Sequence, residues 1–147
     1  MTLIGKISQD LNTALKARDE ITVSILRFLL SKIHNAKIAK GQDLSDDEVI
    51  AEITKETKRH KESIEAYEKA ARDELVDKEK AELSILAKYL PKQLTEAEIG
   101  NIVEGVITEI GASGVGDMGK VMGAVMAKVK GQADGGLVSA IVKEKLT

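Results

Sequence analysis

The sequence predicts an all-α protein, with an N-terminal four-helix antiparallel bundle-like domain over residues 1–90, a linker at 91–94 and a small three-helix domain over 95–147. Three observations lead there. Apolar residues recur three and four positions apart along nearly the whole chain, the spacing of one helix face. Of 147 residues only Phe28, Tyr67 and Tyr89 are aromatic, so the core must be aliphatic, which disfavours a sandwich or barrel. The composition also changes at the single proline, Pro91: ten of the twelve glycines lie between Gly100 and Gly136.

The first helix is marked by Leu3, Ile7, Leu11 and Leu15, one apolar stripe that ends near Ala17-Arg18-Asp19. From Ile21 to about Ala39 the apolar set, including Ile25, Leu26, Phe28, Leu29 and Ile33, wraps more than half the helix. That width predicts the most buried element of its layer, closed by Gly41. Ser45 with Glu48 reads as a capping box, and Asp46 and Asp47 suit the positive end of a new helix. This third helix carries a seam at Ile50, Ile53, Thr57, His60, Ile64, Tyr67 and Ala71. The phase slips near Ala71-Arg72-Asp73, which predicts two helices, roughly 45–70 and 73–89, with one bent helix as the alternative. Beyond Pro91, Thr95 and Glu98 suggest a second capping box, and Ile99, Ile102, Val103, Val106 and Ile107 make a face ending at Gly111. Met118, Val121, Met122, Val125, Met126 and Val129 make another, where the small residues Gly123, Ala124 and Ala127 predict close helix packing. Leu137, Val138, Ile141, Val142 and Leu146 make the last.

Hydrophobic residues at 43% and charged residues at 31% describe a folded chain rather than a disordered one. Net charge is −2, with 17 basic against 17 acidic residues in 1–93 and 5 against 7 in 94–147. Neither part is a basic domain, so a polyanion site has to be a local patch. With no cysteine, disulfides, thiolate metal sites and a Cys nucleophile are excluded, and a cytoplasmic setting is expected. The apolar runs are too short to span a bilayer, and the N-terminus lacks the apolar core of a signal peptide.

The segment Gly111–Lys120 contains both a G-x-G-x-x-G (Gly114, Gly116, Gly119) and a G-x-x-x-x-G-K ending in Lys120. A phosphate loop needs Ser or Thr after the lysine and a strand before the glycines. Val121 and a helix stand there, so no nucleotide is expected. His34 and His60 sit on helices without neighbouring ligands at metal-binding spacing, His60 on an apolar seam as a packing residue, so no metal is expected. Carboxylates such as Glu52 and Glu65 pair with lysines along solvated faces. No catalytic constellation is recognisable and no cofactor is expected.

Lys128, Lys130, Gly131, Gln132, Ala133 and Asp134 place lysines at a helix C-terminus beside a small-residue turn, ahead of the amides that open the last helix. Two readings fit: a lysine-stabilised cap with a tight turn, or a contact for a polyanion or protein.

Gly119-Lys120-Val121-Met122-Gly123-x-Val125-Met126, then Gly131-x-Ala133-Asp134-Gly135 and Leu137-Val138, resemble the YqeY family. Upstream, Lys16-Ala17-Arg18-Asp19, Leu26-Arg27-x-Leu29-Leu30-Ser31, Lys78-Glu79-Lys80-x-Glu82 and Tyr89-Leu90-Pro91-Lys92-Gln93-Leu94 agree, so the resemblance runs nearly end to end. Such proteins are similar to the tail region of the B subunit of tRNA-dependent Asp/Glu amidotransferase, a region that contacts tRNA. The resemblance implies a helical domain plus a small three-helix domain, with tRNA as the favoured partner and an amidotransferase or other tRNA enzyme as a possible protein partner. It also implies a carbon–nitrogen ligase label with glutamine as amide donor, inherited from a larger enzyme whose catalytic parts this chain is too short to contain. The tRNA-facing edge it supports is Lys128, Lys130, Gly131, Gln132, Ala133 and the helix start at Leu137-Val138, and Lys120 is expected among the nucleic-acid-binding residues as well. Asp134-Gly135, where such tails often carry Asn-Pro, departs from the pattern and adds a negative charge.

Overall fold

The computed structural model describes all residues, Met1–Thr147, as seven α-helices without a strand: α1 (Leu3–Ala17), α2 (Glu20–Lys40), α3 (Asp46–Lys69), α4 (Asp73–Ala87), α5 (Glu96–Ile110), α6 (Met118–Lys128) and α7 (Gly135–Leu146). A short 3-10 turn, Val115–Asp117, precedes α6. The all-helical class read from the periodicity is the class observed. The chain divides into two units, Met1–Leu90 and Pro91–Thr147.

In the first unit the helix ends follow local chemistry. Thr2 accepts from the Gly5 amide at 3.0 Å to open α1, and Arg18, with φ at 57°, closes it in the left-handed region. Asp19 then caps α2, accepting from the Thr22 hydroxyl at 2.6 Å and its amide at 3.2 Å. Those two bonds, the hydroxyl first, hold the Asp19 carboxyl below its ordinary range. Ser45 and Glu48 form the complete capping box at the start of α3. The long α3 ends at Lys69, and a turn with Ala71 at φ 54° leads into α4, so two helices form rather than one bent one. The phase slip in the apolar seam marks that turn, although neither Gly nor Pro enforces it.

The core of this unit gathers Ile7 from α1, Ile25, Leu26, Leu29 and Ile33 from α2, Val49 and Ile53 from α3, and Leu86 from α4. Its faces are rotated from the simplest sequence reading. In α1, Ala14 is buried whereas Leu15 is 43% exposed. In α2, Ile21 and Phe28 are each 46% exposed, so only part of the wide apolar face is covered, although Ile25, Leu26, Leu29 and Ile33 still make α2 the largest contributor to this core. The Lys32 ammonium sits 5.2 Å from the Phe28 ring centroid, which explains how that exposed ring is tolerated. Leu3 donates its amide to Asp46 Oδ1 at 3.0 Å, and Tyr89 donates its hydroxyl to Asp10 Oδ2 at 2.5 Å. Both bonds join segments far apart in sequence.

The second unit closes around Ile99, Val103 and Val106 of α5, Val121 and Val125 of α6, Val129 and Ala133 of the following loop, and Val138, Ile141, Val142 and Leu146 of α7. Valine dominates because three short helices packing closely leave little room for larger side chains. Residues 91–94, read from the sequence as a linker, are hydrogen-bonded into this unit, as described below. Thr95 caps α5 by accepting from the Glu98 amide at 3.2 Å. Here the capping box is only half formed, since Glu98 reaches the Thr95 hydroxyl at 3.2 Å rather than its amide.

Candidate nucleic-acid interface

The glycine-rich stretch before α6 is occupied by the chain itself. Asp117 Oδ2 accepts from the Ser113 amide at 3.0 Å, and α5 rather than a strand precedes the turn. A carboxylate therefore stands where a phosphate cradle would need open amides.

Helix α6 has two unlike sides. Val121 and Val125 are fully buried, and Met118, Met122, Ala124 and Met126 pack around them. Gly119, Gly123 and Ala127, four apart, lie on the exposed side together with Lys120 and Lys128. The expected close packing through Gly123 and Ala127 is thus corrected: a Cβ added at Gly119 or Gly123 would meet nothing within 4 Å. Only Ala124 turns inward. Glycine inside a helix costs roughly 0.5–1 kcal/mol relative to alanine, and no internal neighbour of α6 accounts for it here. The result is a smooth strip of backbone bordered by lysines.

The loop after α6 is built as tightly as a core element. Val129 and Ala133 are buried, Lys130 between them is exposed, and Gly131 takes φ 69°, a left-handed conformation that favours glycine. Gln93 donates Nε2 to the Gly131 carbonyl at 2.7 Å and to the Pro91 carbonyl at 2.9 Å. Leu94 donates its amide to the Gln132 carbonyl at 2.8 Å, and Gln132 Nε2 reaches the Lys92 carbonyl at 3.4 Å. The proline segment and the loop therefore form one rim. It includes exposed Lys92, which the sequence reading left out of the site because its proximity depends on bonds between residues about forty positions apart.

The residues singled out from the sequence fall into three groups. Lys120, Lys128 and Lys130 are exposed. Lys128 shares its charge with Glu109 at 3.4 Å, an exposed pair that a stronger anion displaces at little cost. Gly131 and Gln132 are half-buried and hold the loop, while Ala133 is 7% exposed and belongs to the core. Leu137 is half-buried, and its amide, expected to be free for an anion, donates to Asp134 Oδ2 at 3.3 Å. Asp134 is the N-cap of α7, so its carboxylate already occupies that helix end. Lys145 of α7 is likewise engaged, held by Glu104 at 2.5 Å, which pushes its ammonium above the ordinary lysine range.

Several curated proteins are similar to this chain. Altered inheritance of mitochondria protein 41, mitochondrial, of Pyrenophora tritici-repentis is 30% identical over 97% of the chain and 80% of its own length. The protein of the same name in Lachancea thermotolerans is 34% identical over 73% of the chain and 59% of its own length. A glutamyl-tRNA(Gln) amidotransferase subunit of Thermococcus sibiricus is 30% identical over 87% of the chain, but the match spans only 17% of that larger protein. The mitochondrial names of the fungal relatives overturn the expectation of a cytoplasmic setting. That expectation leaned on the absence of cysteine, which does not distinguish one compartment from another. No helix is long and apolar enough to cross a membrane. The model of the Yqey-like protein family matches residues 4–146, and with helices accounted for from end to end of that match, the chain belongs to the YqeY family.

Proposed function

We propose that the Pro91–Thr147 unit is a tRNA-binding module without catalytic chemistry of its own, gripping the phosphate backbone through Lys120, Lys128, Lys130 and Lys92. The observation that carries this reading is the exposed strip of Gly119, Gly123 and Ala127 on α6, flanked by Lys120 and Lys128. A strip with no side chain at Gly119 and Gly123 and nothing larger than a methyl at Ala127 lets a sugar–phosphate backbone come close to the helix, and the lysines supply the charge. Gly131 and Gln132 act as positioning residues that hold Lys130 at the rim. The second unit has no aromatic residue, so recognition rests on shape and backbone instead of base stacking. The similarity to an amidotransferase whose name specifies glutamyl-tRNA(Gln) supports tRNA as the RNA class.

Filter binding of bulk tRNA at two salt concentrations tests the reading. Three to four phosphate contacts give a log–log salt slope of about −3, and the Lys128→Glu/Lys130→Glu variant loses roughly tenfold or more in affinity. Absence of binding, or unchanged affinity in that variant, refutes it. A second reading, a docking module for a tRNA enzyme, is favoured by Ile21 and Phe28 on α2, each 46% exposed. Co-purification of a protein partner that is lost in Ile21→Asp/Phe28→Asp, with no retained RNA, would select it.

A further inference from the structure

We propose that His60, Glu79 and Glu82 form a binding site for one divalent transition-metal ion, with Zn²⁺ the best-matched ion. The sequence separates these residues into unrelated patterns, His60 in the α3 seam and the two glutamates in Lys78-Glu79-Lys80-x-Glu82. Folding brings α4 against α3, and the i, i+3 spacing puts both carboxylates on the face that meets the imidazole. His60 Nδ1 is hydrogen-bonded to Glu79 Oε2 and lies 3.6 Å from Glu82 Oε2, and all three donor atoms fall within 4.8 Å of one another.

Burial and charge set this cluster apart from the helix surface. His60 is 9% exposed as a residue, and the side chains of Glu79 and Glu82 are 19% and 12% exposed. On α3, Glu52, Glu56 and Glu68 have Lys55, Arg59 and Lys80 as partners. Neither Glu79 nor Glu82 has a lysine or arginine partner, and His60 Nδ1 is the basic atom lying against both. Two carboxylates drawn together out of water repel each other, and a dication cancels both charges at once.

The donor set selects the ion. An imidazole nitrogen with two carboxylate oxygens suits Zn²⁺ and its neighbours, whereas Mg²⁺ and Ca²⁺ prefer oxygen alone. Zn²⁺ binds such donors at about 2.0–2.2 Å, which places the ligand atoms of a tetrahedral site roughly 3.3–3.6 Å apart. The separation of His60 and Glu82 already fits. Glu79 gives up its hydrogen bond as the ion replaces the proton shared with Nδ1, and the ring proton then resides on Nε2. A concavity of about 240 Å³, lined by Ser24, Ile25 and Phe28 together with His60 and Glu82, gives the ion an entry path and leaves a fourth position for water. Bound there, the ion would pin α3 to α4.

Zn²⁺ titration of the chelator-treated full chain, followed by calorimetry and by the His60 ring resonances in NMR, tests the site. The expected result is one saturable Zn²⁺ per chain, displaced His60 resonances, and a thermal midpoint raised by roughly 10 °C at a hundredfold excess over Kd. Mg²⁺ should give no shift. Glu79→Gln/Glu82→Gln should weaken binding at least tenfold, and His34→Gln, which alters the exposed histidine, should leave it intact. Absence of saturable binding, unmoved His60 resonances in the unaltered chain, undiminished affinity in the double variant, or loss of binding in His34→Gln would each overturn the proposal.

Discussion

Replacing Gly123 by alanine separates the stability of α6 from its proposed contact with RNA. Gly123 lies in the middle of Met118–Lys128 on the exposed side, and an added Cβ meets no atom within 4 Å. No clash or cavity opposes the methyl group, so helix preference alone sets the change, about 0.8–1.0 kcal/mol in favour of alanine. For a unit of this size each kcal/mol moves the midpoint by about 4–8 °C, so the Pro91–Thr147 unit should melt roughly 3–8 °C higher. Gly105, exposed in α5 with equally open space around its Cα, is the matched control: Gly105→Ala should give the same stabilisation. The two variants part company in binding. A methyl group at 123 holds a phosphate backbone away from the strip, and affinity for bulk tRNA should fall several-fold, whereas Gly105→Ala should bind as the unaltered chain does. Far-UV circular dichroism melts and the filter-binding titration read the two effects. Destabilisation by Gly123→Ala would refute the open environment of the strip, and equal tRNA affinity in both variants would refute the close approach.

Glu48, held down to about 2 by the Lys40 ammonium at 2.5 Å and then by the Ser45 amide and hydroxyl, has a folded-state value below its unfolded one. Its contribution is therefore present above about pH 4.5 and is lost as pH falls toward 2; Glu48→Gln should lack that acid-dependent part in chemical melts between pH 5 and pH 2. Burial, followed by the hydrogen bond to Asp10, pushes the Tyr89 hydroxyl above the ordinary tyrosine range. Stability from this group is complete below about pH 10 and declines at higher pH, a decline that Tyr89→Phe should abolish. At neutral pH, Tyr89→Phe should cost about 1 kcal/mol in urea denaturation, reduced from the value for a charge-assisted bond because the pair is half exposed.

What the sequence made legible is local. Ser45 and Thr95, read as caps, each accept from the amide three residues ahead; Thr2, Asp19 and Asp134 do the same at helix starts the sequence reading did not assign a cap, Asp134 where free amides were expected. The break at Ala71 is readable for the same reason, because a slip in an apolar stripe is a property of neighbouring residues. Rotation of a helix about its axis is decided by partners elsewhere. Burial of Ala14 instead of Leu15, and the outward turn of Gly123 and Ala127, depend on which surfaces the other helices offer. The rim joining Gln93 to Gly131 and the convergence of His60 with Glu79 and Glu82 arise from pairings across long stretches of chain, for which spacing gives no signal.

Tyr67 and Tyr89 both belong to the Met1–Leu90 unit, and there is no tryptophan anywhere. Ultraviolet light therefore sees the chain unevenly. Tyrosine absorbance and emission report one unit, amide dichroism reports both, and their difference isolates the melting of Pro91–Thr147 without a label. A tryptophan substituted at an exposed position clear of the strip, such as Val115→Trp in the turn before α6, would give the dark unit its own signal.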